Sequence, residues 1–268
     1  MNPPQWLAEA GEVPLDDPLA EALRLIDRAE GQGLQLRLMG GLAFHAVVPT
    51  WRAPVERTRR DIDLATRSHD RRGVADLLAS AGYEPDRQYN ALYGHKQLYF
   101  VDTRRGRPVD VLVDRLEMCH TFEFADRLQL EPRTLPLADL LLSKLQVVKI
   151  NRKDLLDSLI LLQSRPLAAD DAGVINVRRI TDLTSTDWGW WRTVTGNLER
   201  LAAFMRDDLV ADELATDVPP PFDPIAQVTA LRSAIDMAPK SFGWKVRARL
   251  GDRVRWYEEP EEIGHGGG

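Results

Sequence analysis

The sequence holds one cysteine, Cys119, so no disulfide can form within the chain. That scarcity suits a reducing compartment, and a lone Cys119 reads as a small buried hydrophobe. No run of about 18 apolar residues occurs, so no membrane-spanning helix is expected. The opening Met1-Asn2-Pro3-Pro4 has neither a basic nor an apolar stretch and does not read as a secretory signal. The expected location is cytoplasmic, with no membrane partner. No internal repeat and no long low-complexity tract interrupts the chain. A positive excess is missing too: the net charge of -6 argues against a protein that coats nucleic acid indiscriminately.

What is present is an ordinary globular composition, 44% hydrophobic and 28% charged over 268 residues, enough to bury a substantial core. The charge is uneven. Residues 31–165 hold 21 Lys/Arg against 17 Asp/Glu, whereas residues 1–30 hold 2 against 7 and residues 166–268 hold 12 against 17. The middle is therefore the basic part, which suits a phosphate-bearing substrate; ordinary scatter of surface charge gives the same numbers.

Hydrophobic spacing predicts a helix over 19–29 that Gly31 and Gly33 end, a strand over 34–39, and a short helix over 42–48. A strand over 61–66, a helix over 71–81 and strands over 96–102 and 107–113 follow. From Pro136 the period turns helical, predicting helices over 137–150 and 153–163. Residues 168–268 read as mostly helical, with Trp188, Trp190, Trp191, Leu198, Leu201 and Phe204 as core material. Pro219-Pro220-Pro221 marks a linker or sharp turn, and the closing Gly264-His265-Gly266-Gly267-Gly268 a loose tail. The class is α/β, divided into a catalytic region over 1–165 and a helical region over 166–268.

Three short motifs carry chemistry. In Arg60-Asp61-Ile62-Asp63-Leu64, strand alternation turns Asp61 and Asp63 to one face and Ile62 and Leu64 to the core. Two adjacent carboxylates repel unless a cation lies between them, and magnesium shares such oxygens with substrate phosphates. In the run 107–114, Val109, Val111 and Val113 share one face and Asp110 lies on the other. An acid in so apolar a strand is costly without a partner; it is either a third cleft carboxylate or one on the wet face of an edge strand. In Leu38-Met39-Gly40-Gly41-Leu42-Ala43, two glycines separate a strand from a helix, where backbone N–H groups can approach a phosphate; a plain tight turn has the same sequence.

Taken together the three motifs resemble the nucleotidyltransferase superfamily. More narrowly, Gly40-Gly41-Leu42-Ala43 through Asp61-Ile62-Asp63-Leu64 looks like the AbiEii/MenT-type family, the toxins of toxin–antitoxin and phage-defence systems, over roughly residues 20–165. The resemblance implies a nucleotidyltransferase-type small mixed sheet flanked by helices, followed by a helical C-terminal region. It implies that Asp61, Asp63 and Asp110 bind Mg2+, with Asp110 able instead to take the proton of the attacking hydroxyl. Gly40 and Gly41 would contact the triphosphate. Many relatives carry Gly-Ser here, so with Gly41 the contact rests on backbone.

The family also uses a helix lysine and a later acidic motif, matched by Lys144 and by Lys153-Asp154-Leu155-Leu156-Asp157. Lys144 lies in an apolar stripe, where a lysine either meets an anion or snorkels. Asp154 and Asp157 share a helix face, as a site pair or as a solvated one. Arg57, Arg59 and Arg60 could hold phosphate or simply be solvated, and His45 reads as a packing residue.

The expected reaction is magnesium-dependent transfer of a nucleoside monophosphate from a nucleoside triphosphate to a hydroxyl. Catalytic roles fall to Asp61, Asp63, Asp110 and Lys144, and nucleotide contacts to Gly40, Gly41, Arg60, Lys144 and Asp157. The tRNA 3′ end is the acceptor the resemblance implies, with a cognate antitoxin as a further partner. Two other readings stay open: a small-molecule, aminoglycoside-like acceptor, and a non-catalytic nucleotide-binding module.

Overall fold

The computed structural model describes residues 13–53 and 61–259. Helix α1 (Pro18–Gly31) starts where Asp17 accepts a hydrogen bond from the Ala20 amide and Pro18 pre-sets the first turn. It leads to strand β1 (Leu36–Leu38), then to helix α2 (Gly40–Val47) and strand β2 (Ile62–Thr66). Helix α3 (Arg71–Ser80), strand β3 (Glu84–Pro85), helix α4 (Arg87–Tyr93) and strands β4 (Gln97–Asp102) and β5 (Arg107–Val113) follow. The five strands form one mixed sheet in the order β1-β2-β5-β4-β3. Within it only β2 and β5 run parallel; β1–β2, β4–β5 and β3–β4 are antiparallel. The α/β class and small mixed sheet of the sequence reading are what the molecule shows.

Burial follows the pleat. Val109, Val111 and Val113 are buried and the residues between them are not fully so, which matches the predicted alternation. Beyond the sheet lie the hairpin β6 (Arg115–Glu117) and β7 (Thr121–Glu123), then helices α5 (Leu137–Leu145) and α6 (Arg152–Ser164). The short parallel pair β8 (Leu167–Ala168) and β9 (Ile175–Asn176) leads to α7 (Val177–Thr186), α8 (Trp188–Phe204), α9 (Asp208–Glu213), α10 (Pro224–Met237) and α11 (Phe242–Ala248). Helices α7 and α8 pack on α5, and α10 packs on α6, so one continuous apolar core runs from Ala22 to Ile235.

The predicted helix over 137–150 is the main difference: α5 stops at Leu145. A side chain far along the sequence takes its last carbonyl and one just past it, for Asn197 Nδ2 donates to Leu145 O (2.7 Å) and Val147 O (2.9 Å). The chain then turns, and Asn151 caps α6 by accepting from the Asp154 amide at 3.0 Å. A buried ionic knot ties α5 to its surroundings. Asp139, fully buried, accepts from Arg127 Nε at 2.7 Å and from Arg179 Nε at 2.9 Å. Cys119 is buried as a free thiol, and His45 stacks on Trp51 at 4.9 Å, as packing roles require. The terminal glycine tail and the opening residues lie outside the described residues. No helix among the described residues is long and apolar enough to cross a membrane.

Candidate active site

The site forms where β2 and β5 run side by side. In their parallel register Asp63 stands opposite Asp110, so both side chains lie on the same face of the sheet. Asp61 is exposed and immediately precedes β2, which begins one residue later than the sequence pattern suggests. The crowding has an electrostatic consequence. Burial, then the Asp110 charge and more weakly that of Asp61, pushes the Asp63 carboxyl up to about 7, against the opposing pull of Lys144.

Gly40 explains how Asp63 is seated. It opens α2 with φ at +59°, a left-handed conformation that costs glycine nothing. A Cβ at Gly40 would lie 1.9 Å from Asp63 Oδ2, so the carboxylate occupies the space a side chain would need. The Met39 amide donates to Asp63 O at 2.9 Å and locks strand to helix. The glycine turn, expected from the sequence to cradle phosphate, makes room for the acid beside it. Gly41 follows in the first turn with an ordinary helical φ.

Lys144 projects from the last turn of α5. Its Nζ pairs with Asp154 Oδ1 at 2.7 Å and Asp157 Oδ2 at 3.2 Å, and lies 5.6 Å from the Phe44 ring centre. Burial works to lower its pKa, but Asp157 and Asp154 outweigh that and hold it above the usual lysine range. Phe44 is on α2 and Lys144 is electrostatically coupled to Asp63, so the α5–α6 pair brings a fixed cation to the edge of the aspartate site. Asp157 is almost wholly buried behind that cation. Arg60, with Arg57 and Arg59, lies outside the described residues.

The sequence reading missed the neighbours of Asp110. Gln97 Nε2 donates to Asp110 Oδ1, and Tyr99 is its register partner on β4. Tyr89 on α4 approaches Tyr99 with ring centres 6.1 Å apart. Burial and then the Asp110 charge raise the pKa of both phenols. The only signal for Gln97 and Tyr99 was their position on a strand whose pairing with β5 could be guessed from the turn around Gly106; Tyr89, on α4, had none.

Among the described residues, no three His, Cys, Asp or Glu side chains are already arranged as a closed metal cage. The donor set nevertheless fits magnesium, which takes one or two carboxylates and completes its shell with water and substrate phosphates.

No family model and no curated protein matches the chain. Among solved structures it is similar to an antigenic nucleotidyltransferase-like protein from Paracoccidioides brasiliensis, at 15% identity and TM-score 0.36 over 85% of this chain and 96% of that one. It is also similar to the STING-associated CdnE c-di-GMP synthase from Capnocytophaga granulosa, at 14% identity and TM-score 0.27 over 87% and 82%. Both likenesses are loose.

Proposed function

We propose that the protein is a nucleotidyltransferase of the AbiEii/MenT type, moving a nucleoside monophosphate from a nucleoside triphosphate to a hydroxyl acceptor. The observation that carries this reading is the Asp63–Asp110 pair on adjacent parallel strands, with the Gly40 turn packed against Asp63. Asp61, Asp63 and Asp110 would hold magnesium, which when bound supplies charge neutralisation of the triphosphate and of the attacking oxygen. Asp63 and Asp110 place negative charge on one sheet face, and Lys144, fixed by Asp154 and Asp157, places a positive charge beside it. The α2 N-terminus directs backbone N–H groups to the same edge, where phosphate oxygens are favoured. Asp110, whose carboxylate Gln97 orients, would either share that metal or take the acceptor proton.

The acceptor we assign is the tRNA 3′ end, supported by the resemblance of the 40–64 motifs and by the basic excess of residues 31–165. A toxin-like role brings with it a neutralising antitoxin, to be sought as a protein that suppresses the activity on co-expression. The test is incubation of the purified chain with magnesium, each radiolabelled triphosphate in turn, and total tRNA. Label on tRNA that Asp61→Ala removes is expected. Label only on an aminoglycoside-like alcohol would replace the acceptor and keep the reaction. Magnesium-dependent nucleotide binding with no product on any acceptor would leave a binding module and overturn the transferase.

A further inference from the structure

Helix α11 is pinned along one side and bare along the other. Ser241 caps it, its hydroxyl accepting from the Trp244 amide at 3.1 Å. The Ser241 amide donates to Ser185 O at 2.9 Å and its hydroxyl to Thr186 O at 3.1 Å, which ties the helix start to α7. On the inner side the Trp244 ring meets Trp191 at 5.2 Å, and Arg247 lies 4.6 Å over Trp188. A cavity of about 610 Å³, walled by tryptophans of α8 and by Trp256, touches α11 through Gly243, Trp244 and Arg247.

The outer side carries an apolar row. Phe242, Val246 and Leu250 are 83%, 44% and 48% exposed. They recur every four residues, and Arg249 and Leu250 keep a helical backbone past the end of α11. The three therefore line up on one face. Beside that row stand Lys245 and Arg249, also four apart, with Arg253 just beyond. All three cations are exposed and pair with no carboxylate among the described residues. The acids nearest in sequence are engaged elsewhere, Asp252 with Arg192 and Glu259 with Arg255. Residues 240–255 hold six Lys/Arg against one Asp, inside the half of the chain that is otherwise acidic.

A row of uncovered apolar side chains marks a surface with a partner, and the cations beside it say that the partner is negative. A two-fold contact with a second copy would bring Lys245 and Arg249 against their own counterparts, which like-charge repulsion opposes. Nucleic acid would satisfy the cations but leave the aliphatic row in water. The row stands proud as a ridge, and a lipid surface closes round a ridge without having to match its shape. Lysine and arginine stems are long enough to keep their charge among headgroups while the apolar row sinks to the acyl boundary. The sequence reading expected no membrane partner because it sought a spanning run; a helix lying in the surface needs none.

We propose that the outer face of α11 docks on an anionic membrane surface. Phe242, Val246 and Leu250 enter the boundary, and Lys245, Arg249 and Arg253 meet the headgroup charge. None of these residues belongs to the aspartate site, and the docking does not depend on the reaction there.

The test co-sediments the full chain with vesicles of phosphatidylcholine alone, or with about one-third phosphatidylserine. Binding to the anionic vesicles is expected to be about ten-fold or more tighter than to the neutral ones, and to weaken as salt is raised. Joint Lys245→Gln and Arg249→Gln should weaken it about ten-fold or more, and so should Phe242→Ser. Both variants change exposed side chains, and a melting temperature equal to the parent's checks that each still folds. Absence of binding to anionic vesicles overturns the proposal, as does binding that neutral vesicles match or that either variant retains in full. Capture of a labelled single-stranded RNA, lost in the charge variant and without vesicle binding, would give the surface to nucleic acid instead. Each of these failures leaves the transferase reading of the aspartates standing.

Discussion

Asp63 and Asp110 face each other across the parallel strand pair β2–β5, and the charge of the second is part of what lifts the pKa of the first to about 7. The arrangement opposes folding: with a folded pKa above its unfolded value, the Asp63 carboxyl costs the fold stability as pH rises from 3.8 to about 7, and the full cost is present above that.

Replacing Asp63 by asparagine should therefore do two opposite things. It should abolish nucleotidyl transfer and raise stability in the absence of divalent metal, by about 1–2 kcal/mol at neutral pH. Urea unfolding in EDTA, alongside a turnover assay, checks both. A D63N protein that unfolds more easily than the parent, or still turns over, would refute the role given to this acid.

Gly40→Ala should be severe for a small change. The new methyl meets Asp63 Oδ2 at 1.9 Å, and the backbone must hold φ of +59°. The left-handed conformation alone costs about 1–2 kcal/mol, and displacing Asp63 should remove activity. Gly41→Ala, at a residue without positive φ, should leave the melting temperature within a few degrees of the parent. Comparable losses at the two glycines would show that Gly40 is not specially placed.

Lys144→Met removes the cation that Asp154 and Asp157 share. Breaking a buried pair in this way costs about 3–5 kcal/mol. Adding Asp157→Asn should restore much of that stability but none of the activity, since the positive charge beside Asp63 is still gone. Recovery of turnover in the double variant would reduce Lys144 to a structural residue.

His120 gives the fold a slope with pH. Burial lowers its pKa from 6.5 to about 4, so it stays neutral in the folded chain while the unfolded chain takes up a proton. Above pH 6.5 the two states match and nothing is lost. Stability should fall as pH drops from 6.5 towards 4, by at most roughly 3 kcal/mol, and the loss should level off below that. His120→Gln should flatten this part of the curve; parallel curves for parent and variant would locate the slope elsewhere.

The parts of the site readable from sequence are those set by local periodicity. Period-two alternation in β2 and β5 put Asp63 and Asp110 on faces opposite the buried valines and leucines, and helix spacing put Asp154 and Asp157 together. What no local pattern carried was the pairing. The facing of Asp63 and Asp110 depends on which strands lie side by side. The fixing of Lys144 depends on a turn between α5 and α6 that has no glycine or proline to announce it. The helix α4 and its tyrosines were missed because seven residues offer too short a period to read. The tryptophans of α8 were legible as core material, but not the cavity they share with α11 and Trp256, which exists only once the chain has folded back.

The Asn197 side chain, donating to the carbonyls of Leu145 and Val147, acts as a gauge block. It sets where α5 ends, one residue beyond Lys144, and so how far along the axis that ammonium is delivered. The helical half of the chain thereby determines a dimension of the aspartate cleft without entering it. A fragment cut at residue 165 would keep every acid and the lysine yet lose the part that measures the distance between them. Swapping the C-terminal helices between related chains should then retune the first half rather than merely append to it.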